Sequence, residues 1–279
     1  MGQVHRPLPR SSTAPSPGRR TIAVAVIAAT AAALFLALLV LPVLSLLIRS
    51  SPADLLRRLT NPLVVQALRL SVVTTCISTA AVVILGLPIV YMLALQEFPG
   101  KRLLEIVIDL PMVLPPTVAG VGLLLAFGRA GLAGRVLSAL GITVPFTTLA
   151  VVFAQMFVAG PFLINTARAG IEEVDAKYLR AAATLRASPA YTFLRVILPL
   201  SYPALIAGAA MTWARALGEF GATITFAGNL PGVTQTMPLA VYIALESNLD
   251  VAVALSVILL LVSFGLLLAL RSVPFTARK

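Results

Sequence analysis

Thr21 to Ile48 is an unbroken apolar run without one charged residue. A helix rises about 1.5 Å per residue, so about 20 mostly apolar residues cross the roughly 30 Å hydrocarbon core of a bilayer. The run is too long for a secretory signal, whose apolar stretch is about 7–15 residues, and reads as an uncleaved first span. Five further mostly apolar blocks follow: Leu70 to Leu95, Ile106 to Phe127 (with Pro111, Pro115 and Pro116), Val144 to Ala167, Leu198 to Phe226 and Val251 to Leu270. No block alternates with the period of two that a transmembrane β-barrel requires. The expectation is an all-α membrane protein with about six transmembrane helices, which excludes a soluble globular fold.

Composition agrees. Charged residues make up 11% and hydrophobic residues 59% of the chain, where soluble domains carry about a quarter charged. The net charge of +11 reads as the Lys and Arg excess of cytoplasmic loops, since no basic face interleaved with aromatics suggests nucleic acid. Cys76 stands alone, so no intrachain disulfide forms, and His5 is the only histidine; no metal site and no cofactor are expected. The sole Gly-Lys pair, Gly100-Lys101, is followed by Arg102 and lacks the rest of a P-loop, so any ATPase is expected on another subunit and the chain itself is not read as an enzyme.

Residues 1–20, with four prolines and several arginines, read as a disordered basic tail; 21–271 is the membrane domain and 272–279 a short second tail. Ser51-Pro52 signals a short interfacial helix, with Leu55, Leu56 and Leu59 toward the bilayer. The positive charges favour both termini and the 168–199 loop in the cytoplasm, although Arg49, Arg57, Arg58 and Arg69 dissent in the first outside loop. Within the 168–199 loop, Val174, Tyr178, Ala181 or Ala182, and Leu185 recur at helical spacing. Ser188-Pro189 then starts a second helix, expected to stop before Pro199. Two short helices with a tight joint make a projecting knob; an amphipathic loop lying on the bilayer is the alternative.

In that knob, Arg180-Ala181-Ala182-Ala183-Thr184-Leu185-Arg186, continuing to Val196-Ile197-Leu198-Pro199, resembles the coupling loop of ATP-binding-cassette (ABC) importer permeases. The family pattern is Glu-Ala-Ala, a glycine three residues on, nine residues, then Ile-x-Leu-Pro. Ala181, Ala182, Leu198 and Pro199 fit; Arg180 replaces the glutamate and Arg186 the glycine. The second departure matters more, since that position often needs a left-handed backbone, which costs a residue with a side chain about 1 kcal/mol. The stretches Leu110 to Thr117, Arg215 to Ala222 and Ala227 to Leu239 resemble the molybdate permease subfamily; sulfate permeases share the Gly-Glu-Phe-Gly core.

This resemblance implies a type I ABC importer permease fold working as a homodimer, with no covalent chemistry of its own. Its partners would be two ATPase subunits, docked through Ala181, Ala182, Arg186, Leu198 and Pro199, and an extracytoplasmic molybdate-binding protein. Sulfate or tungstate transport and a self-sufficient secondary transporter are the alternatives. Arg215 and Glu219 lie one helical turn apart inside a span, where a lone charge costs about 2.5–3.5 kcal/mol, so a pair or a wet lining is expected. Gly218 and Gly221 are expected to permit close helix packing. With Thr223, Asn229 and Gln235 they complete the candidates for the path or gate.

Overall fold

The computed structural model describes the backbone of residues 19–271 and the side chains of 24–269. The expected tails 1–18 and 272–279 therefore lie outside the described residues. Two units are distinct: residues 1–49 and 50–279. The first is a single helix, α1 (Arg19–Arg49), which takes in Arg19 and Arg20 of the expected tail. Its Thr30 and Ser45 hydroxyls donate back to the carbonyls four residues earlier, which satisfies them without a partner helix.

The second unit is built on three helices: α3 (Pro62–Leu95), α7 (Thr148–Glu172) and α11 (Tyr202–Leu217). Their register fixes their directions. Gln155 Nε2 donates to Thr74 Oγ1 at 3.1 Å, and further along a Cβ on Gly86 would sit 3.5 Å from Ile164 and Leu163. Contacts thus advance together on α3 and α7, and the two helices run parallel. Against α11 they run in reverse: Gly170 meets Ala204, and Gly208 lies by Thr166. Small residues at these crossings let backbones approach where lipid offers no hydrophobic drive to associate.

Parallel neighbours need a return crossing between them, which is supplied by α4 (Lys101–Val113) and α5 (Pro116–Phe127). The sequence suggests one span here, but the two helices meet at a 118° bend. Leu114 is extended (φ −65, ψ 134) because Pro115 follows it, and Pro116 then restarts a helix at its first turn. The block from Leu198 to Phe226 is also divided. A 73° bend separates Pro189–Leu200 from α11, and after Leu217 the chain leaves helical geometry at Phe220 before the short α12 (Gly221–Phe226). Among the described residues, four helices are long and apolar enough to cross a membrane, and up to six spans result if each bent pair is one.

An apolar helix also stands where the sequence suggests only a loop: α13 (Met237–Ser247), packed with α14 (Leu249–Arg271) and the start of α3 around Met237, Ala252 and Leu255. The short α2 (Pro52–Leu59) exposes Leu56 and Leu59 as expected, but Leu55 turns inward onto the same cluster.

Candidate functional site

At one end of the second unit the C-termini of α3 and α7 meet the 168–199 segment around Val90, Ile164, Phe193 and Ile197. Asp175 caps α8 (Ala176–Thr184) by accepting the Lys177 N–H at 2.8 Å. That bond and the Lys177 ammonium, 2.9 Å away, hold the carboxyl below its usual range and raise Lys177 in turn. The end of α8 is closed by two bonds, Arg186 N–H to Ala183 C=O at 2.9 Å and Ala187 N–H to Ala182 C=O at 3.0 Å. This paired closure requires a left-handed residue after the helix, and Arg186 adopts it with φ 54. The arginine at the glycine position of the loop pattern therefore takes the glycine conformation.

Ser188 accepts the Tyr191 N–H and starts the next helix, α9 (Pro189–Thr192), which passes into a π-helical turn Phe193–Ile197 and then α10 (Leu198–Leu200). The expected stop before Pro199 does not occur, and Leu198 is helical. In the widened turn the Leu198 N–H bonds five residues back, to Phe193. That change of pitch relieves the clash a proline makes with the carbonyl four residues before it. Between α8 and α9 opens a concavity of about 650 Å³ lined by Tyr178, Ala181, Leu185, Ala187, Tyr191 and Val196, with the buried Ala182 at its base. Of the five docking candidates, Ala181 and Ala182 line it, and Arg186 stands in the turn between the lining residues Leu185 and Ala187. Leu198 packs instead into the cluster behind it, and Pro199 is exposed at the turn.

The second group lies where α11 gives way to α12. Glu219 is 1% exposed; its Oε2 meets Arg215 Nη1 at 3.0 Å and its Oε1 accepts the Ala222 N–H at 2.8 Å. The carboxylate both pairs the intramembrane arginine and caps the first turn of α12. Gly221 is a contact point, since a Cβ there would lie 2.5 Å from Pro116. Gly218 is not: it is exposed, and only its own helix lies near, at 3.9 Å. Thr223 is fully buried and its hydroxyl makes no hydrogen bond among the described residues, so it faces the interior of the chain and not an open surface. Asn229 and Gln235 lie beyond, in a turn where Leu230 C=O accepts three N–H groups. That turn rests on the start of α7 through Thr148 Oγ1 and Val233 C=O, at the end opposite the 168–199 segment.

Four polar contacts involve residues that the sequence does not single out. Asp109 of α4 accepts from Asn165 Nδ2 of α7 at 2.7 Å, and one turn along Arg168 pairs with Glu105 and Glu172, each at 2.7 Å. Ser71 Oγ accepts the Met237 N–H at 2.7 Å, tying α3 to α13. Asp109 was findable by the reasoning that picked out Arg215, as a charge inside an apolar block. The hydroxyl contacts were not, since serine within a span normally bonds its own helix.

The family described as "Binding-protein-dependent transport system inner membrane component" matches residues 86–273. The chain belongs to that family. It is the membrane-spanning permease of an ABC importer, a multi-pass inner-membrane protein acting with ATPase and binding-protein partners, with ATP hydrolysis on a separate subunit. The permease is 44% identical, over 80% of its length and 84% of the relative's, to the "Molybdenum transport system permease protein ModB" of Mycobacterium tuberculosis. It is 36% identical to the "Sulfate transport system permease protein CysT" of Salmonella typhimurium, over 76% of this chain and 77% of that one. Among solved structures it resembles a bacterial ABC transporter importing alginate, with a TM-score of 0.77 at 14% identity, covering 94% of this chain and 98% of that one. That likeness supports the all-α importer-permease fold.

Proposed function

We propose that the permease passes molybdate across the cytoplasmic membrane by alternating access, as a homodimer carrying two ATPase subunits and served by an extracytoplasmic molybdate-binding protein. The observation that carries the substrate is the 44% identity to a molybdenum transport permease across 80% of the chain, against 36% to the sulfate counterpart. Physical reasoning adds where the work is divided. In this reading the concavity bounded by Ala181, Ala182 and Leu185 receives the ATPase, and Arg215 with Glu219 stands at the path. Both termini and the 168–199 segment face the cytoplasm, with Asn229 and Gln235 at the delivery side.

Glu219 neutralises Arg215, and among the described residues no cluster of donors is dedicated to one anion. Selectivity therefore rests mainly with the binding protein, where shape separates the larger tetrahedral dianions, molybdate and tungstate, from sulfate. The test is uptake of labelled oxyanions by a strain lacking its own molybdate systems and complemented with the full transporter. Molybdate uptake competed by tungstate and poorly by sulfate is expected; robust sulfate uptake that excess molybdate leaves unchanged would move the chain to sulfate transport.

A further inference from the structure

We infer that the coupling segment is built for an ATPase whose docking face is acidic and carries a projecting apolar side chain. This rests on the proposal that the ATPase docks here and states the chemistry of the partner. From Tyr178 to Leu200 the chain carries Arg180, Arg186 and Arg195 and no Asp or Glu. All three arginines are exposed and none makes an ion pair among the described residues. Lys177 is already answered by Asp175, whose carboxyl also feels Arg180, so the charge left unanswered among the described residues is chiefly that of Arg186 and Arg195. Arg180 and Arg186 stand where the family pattern has a glutamate and a glycine, so the charge of this surface is shifted toward positive relative to that pattern.

The shape of the surface is equally specific. Ala181, Ala182 and Ala187 leave a concavity of about 650 Å³ between aromatic walls, Tyr178 and Tyr191, and Leu185 at its edge is 82% exposed. Small residues between large ones form a socket, and an exposed leucine and two half-exposed tyrosines around one concavity call for cover. An apolar projection entering the socket, with carboxylates around it meeting the arginines, satisfies both features. Like charges on the partner would be rejected, which makes the rim a device for choosing one ATPase over another.

The experiment uses the full-length permease in nanodiscs with the transporter's own ATPase and reads association against salt, in phosphatidylcholine alone and with phosphatidylglycerol. The combined variant Arg180→Gln, Arg186→Gln, Arg195→Gln should weaken association about tenfold or more at low salt and flatten its salt dependence. Ala181→Trp should fill the socket and abolish association while insertion and dimerisation persist. Leu185→Asp separates the two levels of the argument. If it abolishes association but the arginine variant binds as tightly as the parent, docking stands and the acidic partner face is wrong. If Leu185→Asp binds normally, the docking site itself is misplaced. Should the arginine variant lose only its response to phosphatidylglycerol, the charges serve lipid headgroups and the inference falls.

Discussion

Arg215 and Glu219 share one ion pair but not one environment. The glutamate side chain is 1% exposed and held at both oxygens, while the arginine side chain is 31% exposed and bonded to it through one nitrogen. The pair is thus anchored by its acid and presented by its base. Losing either partner is not symmetrical, because the buried charge cannot be rehydrated where it stands.

Arg215→Gln should accordingly be the more damaging change, destabilising the permease by about 3 kcal/mol by leaving a buried carboxylate without its cation. Glu219→Gln keeps an oxygen for the Ala222 N–H and leaves a charge that is partly exposed. The double substitution should recover part of the loss. Thermal unfolding in detergent across the four proteins checks this, and additive losses would mean the pair is not coupled.

The glycines divide by geometry. A Cβ at Gly221 would lie 2.5 Å from Pro116, and one at Gly120 would lie 2.6 Å from Thr225 and 2.9 Å from the Ala222 carbonyl. Alanine at either should cost about 1–3 kcal/mol through overpacking. Gly218→Ala, with nothing closer than 3.9 Å, should be tolerated. Stability and assembly of the three single variants give the comparison, and equal effects would remove the α5–α12 contact as the cause.

Arg186→Gly should relax the left-handed residue after α8 by about 1 kcal/mol. Hydrogen exchange at the Arg186 and Ala187 amides, which close the helix, is the measurement, and slower exchange is expected. Because Arg186 also belongs to the proposed cationic rim, ATPase association should weaken in the same variant. A gain in both properties would contradict the rim.

For topology, the two ends of the second unit offer labels. Ser188 is exposed at the coupling end, and Leu230 is 46% exposed at the other. Leu230 is preferable to Gly232, whose φ of +76 would strain a cysteine. With Cys76 replaced by serine, an impermeant thiol reagent on intact cells should modify Leu230→Cys and spare Ser188→Cys. The reverse pattern would invert the orientation.

Much of this architecture is legible in the residue order because bilayer thickness and backbone hydrogen bonding leave few choices. The long blocks became helices, and Ser188 capped where Ser-Pro signalled it. What escaped depended on contacts between distant segments. The bend at Leu114 was written in the paired prolines, but neither its 118° angle nor the close approach of Pro116 to Gly221 is visible in the local sequence. The helix Met237–Ser247 hid in a loop too short to count as a span, and Thr223 reads as polar wherever its helix turns. The left-handed position at Arg186 was legible only through the glycine of the family pattern, since an arginine gives no local sign of it.

The last prediction concerns how docking reaches the pair at Glu219. The helix α4 buries no residue of its own, yet Leu104 and Ile108 pack on the cluster of Phe193 and Ile197 in the 168–199 segment. Beyond the bend, Pro116 sits on Gly221, two residues from the carboxylate that caps the same turn. A displacement of α9 thus has a continuous packed route to α12, provided α4 stays fastened to α7. Beside the apolar cluster that α4 shares with Ile164, Ala167 and Ile171, two polar contacts fasten it: Asp109 on Asn165 and Glu105 on Arg168, each at 2.7 Å. Asp109→Leu removes one without adding a buried charge. Assembly with the ATPase should persist, while transported substrate per ATP hydrolysed should fall several-fold, since binding and chemistry survive but their linkage loosens. Asp109→Asn, which keeps an oxygen for Asn165, should restore most of the ratio. If transport and hydrolysis decline in proportion in Asp109→Leu, the contact serves stability alone and α4 is not the connecting element.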